Sequence, residues 1–173
     1  MIDLQNFNKT IYLKNNFLIR TLKINDIKQG YVESLQDPNV NKYLFFRKKK
    51  ITIKNIKQYV LKNFISSNNI LFGIFFNKKH IGNIRLTLLE NESILGITIF
   101  DQFNQQKGFG SKSLDIVSKF AIKNLKSKSI KGGIDLKNTI SIKTFKKAGF
   151  LIKKNLDIYN KYSSKYCLAI KKK

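Results

Sequence analysis

What this chain has little of narrows its reading first. It holds one cysteine, Cys167, in 173 residues. A single thiol closes no intrachain disulfide and builds no cysteine-based metal cluster, and it suits a reducing cytoplasm. No apolar run approaches the roughly 18 residues needed to span a bilayer; runs such as 70–76 have strand length. The start, Met1-Ile2-Asp3-Leu4-Gln5-Asn6, lacks the basic segment and long apolar stretch of a signal peptide. The one proline, Pro38, lies in Gln36-Asp37-Pro38-Asn39, a turn signal after a helix. The one histidine, His80, follows Lys78 and Lys79 in what reads as a hairpin turn, so an exposed side chain without a task is expected.

Acidic residues are also scarce: 10 Asp+Glu face 34 Lys+Arg, for a net charge of +24. Such an excess suits polyanions, whether nucleic acid, an anionic membrane surface or a phosphorylated small molecule. Lys, Asn and Ile are abundant together, and drift of solvated surface positions towards Lys is the favoured explanation of the charge. The C-terminal Lys171-Lys172-Lys173 reads as a solvated tail.

What is present is a globular composition, with 42% hydrophobic and 25% charged residues. One domain over 1–173 is expected, and at this length about 70% of the unfolded surface can be buried. Residues 17–22 alternate as a strand, and Asn25 and Asp26 predict a helix cap for 26–35. Ile53, Ile56, Tyr59, Val60 and Phe64 recur at helical spacing over 52–65. Strands at 70–76 and 81–89 form a hairpin around Asn77-Lys78-Lys79-His80, and 93–100 reads as a further strand. A helix over 111–125, a strand over 130–136, a helix over 138–148 closed by Gly149, and short strands at 150–152 and 166–170 complete the order. That order is α/β (α+β) with a mixed sheet.

The informative stretch is a strand ending at Phe100, then Gln105-Gln106-Lys107-Gly108-Phe109-Gly110-Ser111, then a helix. Two glycines one residue apart let backbone amides approach a ligand, and a helix N-terminus favours an anion there. The spacing therefore predicts a pyrophosphate site. A dinucleotide fingerprint would need a third glycine where Ser113 stands and an acidic residue about 20 positions on. A Walker loop would need Lys before Ser, whereas Gly110 is followed by Ser111-Lys112.

The chain instead resembles the GNAT acetyltransferase superfamily. Gln105-Gln106-Lys107-Gly108-Phe109-Gly110 fits that family's [RQ]-x-x-G-x-[GA] element. Asn138, Ser141, Phe145 and Gly149-Phe150 fit its second element in register. The opening strand with Arg20 and Asp26, and the segment 37–44, resemble the branch containing ribosomal-protein and amino-sugar N-acetyltransferases. The resemblance implies a mixed, mostly antiparallel central sheet flanked by helices, and acetyl-coenzyme A as co-substrate, with no metal. It implies that amides of Gln106, Lys107, Gly108, Phe109, Gly110 and Ser111, with Gln105 opening the loop, hold the pyrophosphate. Main-chain groups of Ile99 and Phe100 would pair with the pantetheine arm. Asn138 would bond the cofactor or merely cap its helix, and Phe145 would pack near the thioester or only in the core.

Many family members place a tyrosine where this chain has Phe145, and Phe has no proton to give. Ser141 is the candidate acid in its stead. The glutamate that often serves as base falls at Ile94 here, which leaves Glu90, Glu92, Asp135 or water. For the acceptor, Arg47 with Lys48, Lys49 and Lys50 suits phosphates, while Arg85, Tyr159, Tyr162 and Tyr166 are further candidates. The resulting expectation is a cytoplasmic N-acetyltransferase, monomeric or homodimeric, acting on a primary amine of a nucleotide-linked amino sugar for surface polysaccharide. Alternatives are a protein N-terminal acetyltransferase and a non-catalytic acyl-coenzyme A-binding or RNA-associated module.

Overall fold

Apolar alternation along the strands dictates the layering. The computed structural model describes residues 3–44, 51–153 and 166–172. The strands are β1 (Thr10–Lys14), β2 (Phe17–Thr21), β3 (Asn69–Phe76), β4 (Lys79–Leu88), β5 (Glu92–Ile99), β6 (Ser129–Asp135), β7 (Leu151–Lys153) and β8 (Tyr166–Lys172). They form one sheet in the order β1-β2-β3-β4-β5-β6-β8-β7. Every neighbouring pair is antiparallel except β5 and β6, which run parallel.

Helices α1 (Gln29–Gln36), α2 (Pro38–Asn41) and α3 (Ile53–Phe64) cover one face, and α4 (Phe109–Asn124) and α5 (Thr139–Lys147) the other. Strand β3 feeds both layers. Its Ile70, Phe72 and Ile74 pack towards Leu114, Val117 and Ala121 of α4, and its Leu71 and Phe75 towards Tyr31, Val32, Ile56 and Val60. A strand buried on both faces must read as a continuous apolar run, as this one does. Each large side chain so buried contributes about 1.5–3 kcal/mol.

The local chemistry corrects several expected boundaries. Asp26 does not cap a helix over 26–35. Its carboxylate accepts both Arg20 guanidinium nitrogens at 2.7 Å and the Lys23 N–H at 2.7 Å, which folds Ile24–Asp26 into a 3-10 turn. Helix α1 therefore starts later. Tyr59 is not on the buried stripe of α3, whose inward residues are Ile56, Val60 and Asn63. The edge strand β1 escapes the sequence pattern because its exposure does not alternate. The β3–β4 turn consists only of Asn77 and Lys78, at φ 47° and 64°. Two successive left-handed residues make the tight turn that suits a twisted hairpin, and so His80 lies inside β4.

One feature of the sheet positions the site. Strands β5 and β6 pair only at Glu92↔Ser129, Ser93↔Ile130 and Ile94↔Lys131. Beyond Ile94, β5 follows β4 up to the Gly82↔Ile99 pair, while β6 follows β8 to Asp135↔Tyr166. The two strands thus part into a V that opens towards their C-terminal ends. Gly132 sits at its crotch: a Cβ there would meet the Phe145 ring at 2.6 Å and the Leu95 carbonyl at 3.3 Å.

Candidate active site

The V exposes backbone of known phase. Leu89 N–H donates to Glu92 O at 2.8 Å, and Phe100 N–H to Ile81 O at 3.1 Å. Polar groups alternate direction along an antiparallel ladder. Gly96 and Thr98 therefore turn theirs to β4, and Ile97 and Ile99 turn theirs to the open side. The expected pairing role of Phe100 is corrected on this ground, since its N–H is committed to β4. Its ring is buried at 4.5 Å from Tyr31. The residues facing the gap are Ile97 and Ile99.

At the open end stands the N-terminus of α4. Gly108, at φ 86°, is its N-cap and offers no side chain to cap it. A residue with a Cβ adopts that conformation only at a cost of about 1–2 kcal/mol. Lys112 N–H makes the helix's opening bond, to Gly108 O at 3.0 Å. The amides of Phe109, Gly110 and Ser111 consequently have no acceptor within the helix, and the helix dipole favours an anion in front of them. Gln106 is also left-handed, at φ 58°, and with Lys107 it is exposed. The loop is anchored on both sides. Gln105 Nε2 donates to Ile99 O at 2.9 Å, and the Phe109 ring packs 5.3 Å from Phe17 and 4.7 Å from Phe76. The Gln105 side chain thus fastens the loop to the end of β5. Ser111 Oγ donates to Gly108 O at 3.0 Å, which tightens the first turn.

Helix α5 starts beside the same opening. Asn138 Oδ1 accepts Ser141 N–H at 3.0 Å, so this side chain is the N-cap. Ser141 is half-buried in the first turn. Phe145 is a core residue, 3% exposed, packed edge-on against Phe150 at 5.0 Å and over Gly132.

The candidate bases separate by position. Glu90 is exposed in the turn before β5. Glu92 lies at the closed end of the V, bonded to Lys131 at 2.6 Å and Ser129 at 3.2 Å. The Lys131 ammonium holds its carboxyl below the usual range. Asp135 lies at the open end and accepts Lys137 N–H at 2.8 Å.

His80 is not the exposed turn residue expected from the sequence. Its ring stacks on Phe75 at 4.9 Å and lies 5.0 Å from Tyr31 and 4.9 Å from Phe100. Its Nε2 bonds Asn83 Oδ1 at 2.7 Å, and Asn83 Nδ2 donates to the Tyr31 hydroxyl. Burial pushes the His80 pKa down, against the opposing effects of Asn83 and Asp26. Tyr31 and Asn83 were invisible as partners because 52 residues separate them.

Of the acceptor candidates, Arg47, Lys48, Lys49, Lys50, Tyr159 and Tyr162 lie outside the described residues. Tyr166 is exposed on β8 opposite Asp135, and Arg85 is exposed in the middle of β4. Tyr43 of the segment after α2 reaches across, its hydroxyl donating to Lys137 O at 3.0 Å. Among the described residues, no group of three His, Cys, Asp or Glu side chains is placed to hold a metal ion. No described helix is long and apolar enough to cross a membrane.

A family model described as an acetyltransferase (GNAT) domain matches residues 16–151. Curated protein sequences give no match. Among solved structures, a GNAT-family acetyltransferase from Bacillus anthracis is similar at 19% identity and a TM-score of 0.75, covering 94% of this chain and 96% of that one. A ribosomal L7/L12 alpha-N-protein acetyltransferase in complex with coenzyme A gives 11% identity and a TM-score of 0.80, over 95% and 98%. A spermidine N-acetyltransferase from Vibrio cholerae, in complex with coenzyme A and spermine, gives 14% identity and a TM-score of 0.73, over 92% and 96%.

Proposed function

Because the chain belongs to the GNAT acetyltransferase family, whose co-substrate is acetyl-coenzyme A, we propose that it acetylates the primary amine of a nucleotide-linked amino sugar destined for surface polysaccharide. The observation that carries the cofactor half is the V between β5 and β6, which ends at the uncapped N-terminus of α4. The amides of Phe109, Gly110 and Ser111, with Gln106 and Lys107 beside them, hold the pyrophosphate. Main-chain groups of Ile97 and Ile99 take the pantetheine arm as an added strand, and a strand N–H there stabilises charge developing on the carbonyl oxygen.

Acetyl-coenzyme A supplies an activated thioester. The acceptor nitrogen attacks its carbonyl carbon, the C–N bond forms and the C–S bond breaks. Asp135, the carboxylate at the open end, takes the proton that the amine loses, directly or through water. Ser141 gives a proton to the departing sulfur. Phe145 takes no part beyond packing.

An anionic acceptor is favoured because three carboxylates on the α1–α3 side, those of Asp26, Asp37 and Asp101, are engaged. Asp26 is held by Arg20, Asp37 by Gln102 and the Asn39 N–H, and Asp101 by Lys79. A polycationic acceptor would have to displace those partners. A second reading, acetylation of a protein N-terminus, is favoured by the likeness to the L7/L12 enzyme and by the +24 charge.

Release of free thiol from acetyl-coenzyme A over a panel of amino sugars, nucleotide-linked amino sugars and peptides tests the proposal. Turnover highest with the nucleotide-linked sugars, and reduced in Ser141→Ala, is the expected result. Turnover confined to peptides establishes the second reading. Coenzyme A binding without turnover on any amine points to a non-catalytic acyl-coenzyme A-binding module.

A further inference from the structure

The α1–α3 face of the sheet is left partly uncovered, and an arginine stands in the opening. Arg85 occupies the middle of β4, directly opposite Leu71 of β3 and Gly96 of β5. Directly opposed residues share a face. Leu71 is 4% exposed beneath the helices, whereas Arg85 and Gly96 are exposed. This guanidinium in a central strand has no acidic partner among the described residues.

The floor beside it is empty by composition. A Cβ at Gly96 would have no atom within 4 Å, and the same holds for Gly133. Gly133 lies two residues after Lys131, which pairs with Ile94, so it faces the same side as Gly96. Arg85, Gly96 and Gly133 therefore line a trough that crosses the V on the face opposite α4. The Tyr43–Lys137 hydrogen bond spans the open end of the V near it.

The groups at the β4 end of the trough are donors. Thr98 lies opposite Asn83, two pairs along from Gly96 and Arg85 and so on the same face. The Tyr31 hydroxyl accepts from Asn83, which leaves its own proton to be donated. Burial raises the Tyr31 pKa well above its ordinary value, so the proton stays on oxygen.

We infer that this trough is an acceptor subsite for a phosphate or pyrophosphate group, with Arg85 as its anchor and Gly96 as the space the group occupies. The inference rests on the acetyl-transfer reading and specifies how that acceptor is held. Arginine suits the task because its planar fork donates two parallel hydrogen bonds to phosphate oxygens. The subsite and the α4 N-terminus lie on opposite faces, so both anions can be bound together.

Calorimetry with uridine diphosphate, titrated into protein already saturated with coenzyme A, tests this without requiring turnover. Wild-type protein is expected to bind. Loss of a charge-assisted fork weakens binding by about ten- to a hundredfold. Arg85→Gln should show that loss, Arg85→Lys a smaller one, and Gly96→Val a comparable one by filling the trough. Unchanged coenzyme A affinity and thermal midpoint in each variant keep a folding defect apart from a lost subsite. Absence of uridine diphosphate binding to the coenzyme A-bound wild type, or equal affinity in Arg85→Gln, overturns the inference. Arg85-dependent binding of an oligouridylate without binding of uridine diphosphate overturns it in favour of RNA. Arg85-dependent uridine diphosphate binding with no thiol release from any amine leaves the subsite standing and refutes the acetyl-transfer reading instead.

Discussion

Gly110→Asp separates the chemistry of the α4 N-terminus from its stability. Gly110 is the second residue of α4, and a Cβ there would lie 3.1 Å from Thr144 Cγ2 and 3.7 Å from Ile99 Cγ1. A new carboxylate at this point sits among the free amides proposed to hold the pyrophosphate. Two unit charges 4 Å apart, at an effective dielectric constant near 20, interact by about 4 kcal/mol. At about 1.4 kcal/mol per decade, the dissociation constant for acetyl-coenzyme A should rise by roughly three orders of magnitude. The fold should respond in the opposite sense. An acidic residue in the first turn of a helix contributes about 0.3–1 kcal/mol of stability. The thermal midpoint should therefore hold or rise while affinity collapses. Gly110→Ala is the control, in which the Thr144 methyl must shift by a few tenths of an ångström and no charge is added. Calorimetry on the three proteins at low ionic strength, repeated at high salt to screen the repulsion, supplies the comparison. Affinities of the Asp and Ala variants within about threefold of each other, some 0.7 kcal/mol, would refute the anion-site reasoning.

Two further perturbations test the framework around the site. Asp26→Asn removes the charge that ties the 3-10 turn to β2, and loss of hydrogen bonds to a charged group should cost about 2 kcal/mol. Burial opposes ionisation of Asp26, but Arg20 and the Lys23 N–H outweigh it and leave the pKa below 3.8. That stability is present above the unfolded value and is lost as pH falls through the folded one. The wild-type midpoint should consequently drop more steeply than that of the variant as the pH falls through and below the ordinary carboxylate range, measured by circular dichroism. Gly132→Ala forces a methyl group against the Phe145 ring at 2.6 Å and should destabilise by about 1–3 kcal/mol. Adding Phe145→Leu should recover part of that loss, and a strictly additive double mutant in urea denaturation would show that the ring does not set the crotch.

The sequence by itself determined what depends on neighbours along the chain. The run at 70–76 must be a buried strand because it is apolar throughout. Glycines at 108 and 110 ahead of an apolar-periodic segment mark the opening of a helix, and α4 begins at Phe109 with Gly108 as its N-cap. Asn138 three residues before Ser141 is placed to cap α5 or to bond the cofactor, and its Oδ1 accepts the Ser141 N–H as a cap does. The tertiary structure decided what depends on strand pairing and on distant partners. The phase of the β4–β5 ladder, set by hydrogen bonds to Ile81 and from Leu89, gave the open backbone to Ile97 and Ile99 and withdrew Phe100. A two-residue turn carried His80 out of solvent and into the Phe75, Tyr31 and Phe100 cluster. The parting of β5 from β6 separated Glu92 at the closed end from Asp135 at the open one. Local spacing carries no record of which strand lies beside which, and for that reason the glycine loop ahead of α4 could be read from the chain, whereas Asp135 and Arg85 could only be named among several candidates until the sheet order placed them.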